Sequence, residues 1–199
     1  MAQWIVGIIN EFGYLGLVFL MLLEAVFPPI PSELIIPFAG YSAANGTMNP
    51  ILVVLAATLG SVLGAIPWFL AGHFFGLERL KWLANRYGRL LTMSSRDIDM
   101  ADRWFDRFGW TVVFFGRLLP IIRTLISAPA GLTGMPIWLF ALCSILGMLV
   151  WNSILVGAGY VLHEHYHLVE AWLDPLSYVV IGGIVAVYLF RVATWKPHA

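Results

Sequence analysis

The chain has 199 residues, of which 60% are hydrophobic and only 11% charged, and its formal net charge is zero. Soluble domains carry about 25% charged residues, so this is an integral membrane protein with room for one membrane domain, and its neutrality excludes the basic surface of a nucleic-acid binder. The single cysteine, Cys143, excludes an internal disulfide, and its apolar surroundings argue against a redox site.

The first residues, to Gly16, lack a basic n-region and do not read as a cleaved signal peptide. Residues 12–45 are apolar but interrupted: Glu24 and Glu33 flank Pro28, Pro29 and Pro31. Proline removes a backbone donor and breaks a helix, and broken backbone at membrane depth is tolerated only where protein or water surrounds it. The segment is therefore predicted to be a hairpin of two helices that dips into the bilayer and returns to the outer side. Residues 50–76 are long and apolar enough to span.

The linker 77–107 holds seven of the eleven Lys and Arg residues and five acids. Its apolar residues Leu80, Leu83, Tyr87, Leu90 and then Ile98, Ala101, Phe105, Phe108 recur at helical spacing, which predicts two amphipathic helices on the membrane surface. Residues 1–78 contain no Lys or Arg, so the positive-inside rule assigns the linker to the cytoplasm. Residues 108–136 then form a second proline-broken segment, carrying Arg117, Pro120 and Arg123, predicted to enter from the cytoplasm as a re-entrant hairpin. Residues 136–160 span back outward. Residues 161–175 fall outside, and 176–192 return as a shorter span to a cytoplasmic end bearing Arg191 and Lys196.

The two halves share a pattern. Phe12-Gly13-Tyr14 matches Phe108-Gly109-Trp110, and Ala39-Gly40 matches Ala130-Gly131. Ser61, Gly64, Trp68 and Gly76 match Ser144, Gly147, Trp151 and Gly159 at identical intervals. Matching spans run in opposite directions, so the expected fold is all-α, with two inverted-repeat re-entrant hairpins plus transmembrane helices. The interface of such repeats commonly holds a substrate. The expected division is a first repeat over 1–76, the linker, a second repeat over 108–160, and an external loop with a C-terminal helix over 161–199.

A charge at membrane depth costs several kcal/mol by most estimates and faces a partner or a watery cavity. Arg117 and Arg123 would sit on different faces of an unbroken helix, since six residues turn about 600°; the break at Pro120 lets both aim into one cavity. Guanidinium suits phosphate because it stays charged and presents a planar fork of donors. The arginines therefore hold a lipid phosphate or neutralise Glu24 and Glu33. The two acids either couple to protons and gate, or only balance the arginines. Ser32 reads as a helix cap before Leu34. His163, His165 and His167 lack further ligands and read as a solvated loop, so neither a metal nor a cofactor is expected beyond proton or cation coupling. No HExxH, GxSxG or P-loop pattern is present, Ser95-Arg96 lacks the downstream histidine of a lipid-phosphate phosphatase, and no catalytic residue is assigned.

Phe115-Gly116-Arg117-Leu118-Leu119-Pro120-x-x-Arg123, followed by Pro129-Ala130-Gly131, Met135, Phe140, Gly147, Trp151 and Gly159-Tyr160, resembles the DedA family of bacterial inner-membrane proteins. Glu24 followed by Pro31-Ser32-Glu33 resembles its second element. The family often has Asn where this chain has Cys143. The resemblance implies two facing re-entrant hairpins and an essential set at Glu24, Glu33, Arg117 and Arg123. It also implies lipid translocation: recycling of the undecaprenyl phosphate carrier or, for some members, phospholipid flipping. A non-transport assembly or homeostasis role, and a homo-oligomer, stay open.

Overall fold

The computed structural model describes residues 2–26, 32–82, 86 and 95–162. All regular structure among them is helical: α1 (Ala2–Val26), α2 (Ser32–Ala44), α3 (Pro50–Phe75), α4 (Ser95–Phe108), α5 (Trp110–Arg117), α6 (Pro120–Leu125), α7 (Ser127–Leu132) and α8 (Ile137–Val161). A further helical stretch covers 77–82. Among the described residues, three helices are long and apolar enough to cross a membrane: Trp4–Val26, Pro50–Phe75 and Ile137–Val161. The first is more than the sequence reading expected, because α1 begins at Ala2 and runs through Gly13 to Val26. Gly13 takes φ 56, ψ −128, a bend that only a residue without Cβ adopts readily, and helix continues on both sides. Pro28, Pro29 and Pro31 lie outside the described residues, as do the third expected span and much of the linker.

Local chemistry sets the ends of the long helices. Pro50 opens α3 at a position where its missing N–H is no loss. The Asn49 side chain caps it, accepting from the N–H groups of Ile51 at 2.9 Å and Leu52 at 3.4 Å. Gly76, at φ 76, ends it. Of the expected surface helices, α4 is present, with Ile98 and Phe105 buried and Phe108 exposed.

Ile51, Leu52, Leu55, Leu59, Leu63 and Trp68 of α3 are exposed, as are Trp138, Leu142, Ile145, Leu146, Val150 and Ile154 of α8. In water such stripes would be a liability; facing lipid they are expected. The inward faces carry small residues instead, because helices in lipid gain from close packing rather than from hydrophobic burial. Added Cβ atoms would collide with backbone at several of them: Gly60 against Val18, Gly72 against Ala128, Gly131 against Phe69 and Gly159 against Pro37.

These contacts define the arrangement. α1 packs on α3, and α5 packs on α8; α2 crosses to α8, and α7 crosses to α3. Two apolar clusters result. One joins Leu17, Leu20, Ile35, Ile36 and Val53 to Val156 from α8. The other joins Val113, Ile126, Phe140 and Met148 to Val62, Ala65 and Phe69 from α3, with the Phe69 and Phe140 rings 4.4 Å apart. Buried Asn152 donates to Thr58 at 3.0 Å, tying α8 to α3 directly.

Candidate functional site

The ion-bearing ends of α1, α2, α5 and α6 converge. α5 stops at Arg117, Leu119 is extended (φ −107, ψ 119), and Pro120 starts α6. Proline cannot donate to the preceding turn, and its φ suits the first helical position. The break offsets the two helices, so Arg117 and Arg123 both line one cavity of about 20 Å³, together with Glu24, Ser61, Trp68 and Ser127. That volume has room for about one water. A phosphate group requires the helices to part.

Arg117 is 2% exposed. Its Nε and Nη2 donate to the Ser144 hydroxyl at 3.3 and 3.1 Å, and Nη2 also donates to Ser127 at 3.0 Å. Its Nη1 donates to the backbone carbonyl of Arg123. Its guanidinium carbon lies 5.3 Å from the centre of the Phe140 ring, within cation–π range. Every one of these partners is neutral. Among the described residues, no carboxylate forms an ion pair with Arg117. The close seat exists because residue 147 is glycine: a Cβ there would stand 2.7 Å from the Arg117 Cβ.

Arg123 has the opposite surroundings. Its Nη2 is 2.5 Å from Glu24 Oε1 and 3.9 Å from Glu33 Oε1. It also donates to the Ser32 hydroxyl. Glu24 is buried at 6% exposure, whereas the Glu33 side chain is 40% exposed and sits at the edge of the cluster. Ser32 is the first residue of α2, but its hydroxyl is turned to Arg123. The cap reading assigned it a local role; the structure gives it a long-range one.

Glu24, Arg117 and Arg123 thus share one cavity, and Glu33 stands at the outer edge of the ion cluster, 3.9 Å from Arg123. The sequence reading missed Ser127 and Ser144 as the hydroxyls holding Arg117, and Ser61 and Trp68 as lining residues. Ser61, Ser144 and Trp68 did stand out as repeated positions, but small residues at such spacing also read as packing. Among the described residues, no three His, Cys, Asp or Glu side chains gather. His163, His165 and His167 lie outside them.

The VTT domain matches residues 30–161. An "alkaline phosphatase-like protein" of Lactococcus lactis subsp. cremoris is 38% identical over 190 residues, covering 95% of this chain and 89% of that protein. "Undecaprenyl phosphate transporter A" of Staphylococcus aureus is 33% identical over 195 residues, covering 96% and 95%. The Bacillus subtilis protein of the same name is 30% identical over 190 residues, covering 94% and 92%. No solved structure matches the chain.

Proposed function

This chain belongs to the DedA family of VTT-domain membrane proteins, and from that premise we propose that it carries a phosphate-bearing lipid across the bacterial plasma membrane without chemically altering it. Undecaprenyl phosphate is the favoured cargo, because two relatives spanning nearly the whole chain bear that lipid in their names. The observation that carries the reading is Arg117: a buried cation whose partners are all neutral. A buried charge with no direct ion pair, held only by neutral hydrogen-bond partners, is costly. An arriving phosphate supplies that charge and matches the planar fork of donors.

Arg123 then has a choice of anions. Drawn toward the phosphate, it leaves Glu24, and a carboxylate stranded at membrane depth is neutralised by a proton. This is the proposed route by which lipid movement couples to protons, with Glu33 guarding the rim.

The proposal includes the inverted-repeat architecture with two re-entrant hairpins. Its support is internal. Gly13 and Gly109, matched in sequence, share an unusual backbone conformation, φ 56, ψ −128 and φ 51, ψ −122. The packing is exchanged in the same sense in both halves: α2 lies on the span of the second half and α7 on the span of the first. The basic linker and the C-terminus are cytoplasmic in this scheme. A cysteine at position 89 should be shielded from an impermeant thiol reagent in intact cells, and one at position 165 should label.

The test is reconstitution of the purified protein in liposomes containing undecaprenyl phosphate beside phosphatidylethanolamine. Protein-dependent movement of intact undecaprenyl phosphate is expected, lowered by about ten- to a hundredfold in Arg117→Ala. Release of inorganic phosphate would make it an enzyme instead, and movement of neither lipid would overturn transport. The Arg117 contacts read phosphate alone and leave the lipid tail unread, so phospholipid movement is the second reading, assigned if phosphatidylethanolamine moves in preference.

A further inference from the structure

The two tryptophans that match in the repeat are in different states. The Trp68 indole N–H donates to the Ala25 carbonyl at 2.8 Å, fastening α3 to the end of α1 beside Glu24. The Trp151 indole N–H is buried and has no hydrogen-bond partner among the described residues. A buried donor without an acceptor is expensive and rare in a finished structure.

The glycines identify the acceptor that Trp151 lacks. A Cβ on Gly64 would meet the Ala25 Cβ and, at 3.1 Å, the Leu22 carbonyl. A Cβ on Gly147 would meet the Arg117 Cβ at 2.7 Å and the Phe114 carbonyl at 2.9 Å. Each glycine therefore faces a side chain and the carbonyl three residues before it, on the helix that precedes the proline break. By this packing Arg117 occupies in the second half the place that Ala25 holds in the first. The counterpart of the Trp68–Ala25 bond is a bond from Trp151 to the Arg117 carbonyl. Arg117 closes α5, so its carbonyl is among those that a helix end leaves without an intrahelical donor.

We infer that Trp68 and Trp151 are alternating latches: the state described here is fastened through Trp68 to Ala25, and the opposite-facing state is fastened through Trp151 to the Arg117 carbonyl. The inference rests on the inverted-repeat transport reading, in which one half exchanges conformation with the other to give alternating access. Each latch holds a helix end that carries a charged group of the site. Trp68 holds the turn bearing Glu24; Trp151 would hold the turn bearing Arg117. Exchange of the latches moves the acid and the free cation in turn, and it opens a cavity that now admits about one water.

The test uses the full chain with Cys143→Ala and a reporter cysteine at Ala65, a lining residue. In proteoliposomes of known orientation and without lipid phosphate, an impermeant maleimide is applied from one face or the other. Trp68→Phe should shift the ratio of labelling between the faces by roughly two- to tenfold, the range one such hydrogen bond supports. Trp151→Phe should shift it by a similar factor in the other direction, and the double variant should return it toward the parent. Shifts in the same direction, or no shift in either variant, would overturn the latches. If a phenylalanine variant does not fold, the tryptophan analogue with sulfur in place of N–H keeps the ring volume and removes only the donor, and the same opposite shifts are required of it. Because no cargo is present, the labelling result is independent of whether Arg117→Ala lowers lipid movement, so a failure of the latches and a failure of the transport reading are told apart.

Discussion

Arg117 and Arg123 lie on either side of one proline, open on one cavity, and are both buried, yet they are held in opposite ways. On the Arg123 side, the ends of α1 and α2 bring Glu24, Glu33 and Ser32 to the guanidinium. On the Arg117 side, α7 and α8 bring two hydroxyls and the Phe140 ring, alongside the carbonyl of Arg123 itself. The first region is compensated within the protein. The second is a positive charge held by dipoles, and dipoles can be supplemented by an incoming anion without breaking an ion pair. Under the proposed function the difference gives the arginines different work: Arg123 joins the halves, and Arg117 receives the phosphate.

The largest expected effect breaks the compensated side. Glu24→Gln leaves Arg123 buried beside only the distant, half-exposed Glu33, and losing one member of a buried pair costs about 3–5 kcal/mol. The unfolding midpoint in detergent should fall markedly, and Arg123→Gln added to Glu24→Gln should recover part of the loss. A double variant as unstable as the sum of the two singles would show that the pair is not coupled.

Arg117 should show the reverse balance, with transport hit harder than stability. Removing a charge-assisted contact of about 1.5–3 kcal/mol lowers lipid movement by about ten- to a hundredfold in Arg117→Ala. Arg117→Lys should lose nearly as much, because an ammonium lacks the planar fork. Wild-type transport in a folded Arg117→Lys protein would reduce the site to charge alone.

Gly147→Ala probes how closely Arg117 must sit. The added methyl would press on the Arg117 Cβ, and overpacking of this kind costs about 1–3 kcal/mol. Transport should drop with only a modest change in midpoint. An unchanged rate would mean that the exact seat of Arg117 is unimportant.

Glu33→Gln should be milder than Glu24→Gln, below about 1 kcal/mol, since the pair is long and partly exposed. A loss equal to that of Glu24→Gln would erase the distinction between core and rim. The smallest effect belongs to the surface bridge between Lys81 and Asp99, 2.5 Å apart. The hydrogen bond to Asp99 raises the Lys81 pKa. Its contribution is therefore fully present below the ordinary lysine range and lost as pH rises through the raised value, so Lys81→Met should leave the pH dependence of the midpoint between pH 6 and 8 unchanged, a window well below the lysine range of about 10.

Much of this protein was legible in its residues because bilayers impose strong one-dimensional rules. Length and apolarity mark α3 and α8, Asn49-Pro50 and Gly76 mark the ends of α3, and Pro120 marks the break between Arg117 and Arg123. Charged residues in apolar sequence are so costly that Glu24, Arg117 and Arg123 identify themselves. The helical reach of residues 2–12 was not legible in the same way, because Gly13 ends a regular helix in one conformation and merely bends it in the one adopted here.

Which charge answers which was decided only in three dimensions. Both arginines have the same side chain and the same proline beside them, and sequence offers two acids for two bases without saying which, if any, pair. The packing of α5 against Gly147 carries Arg117 toward Ser144 and Ser127, while the start of α6 delivers Arg123 to Glu24 and Ser32. Sequence spacing sets how far along a helix two groups lie. It does not set which neighbouring helix they face, because that depends on where small residues let the helices meet. The residues alone therefore determined that charged groups lie within apolar sequence, and the tertiary structure decided that one arginine is ion-paired while the other is held by neutral groups.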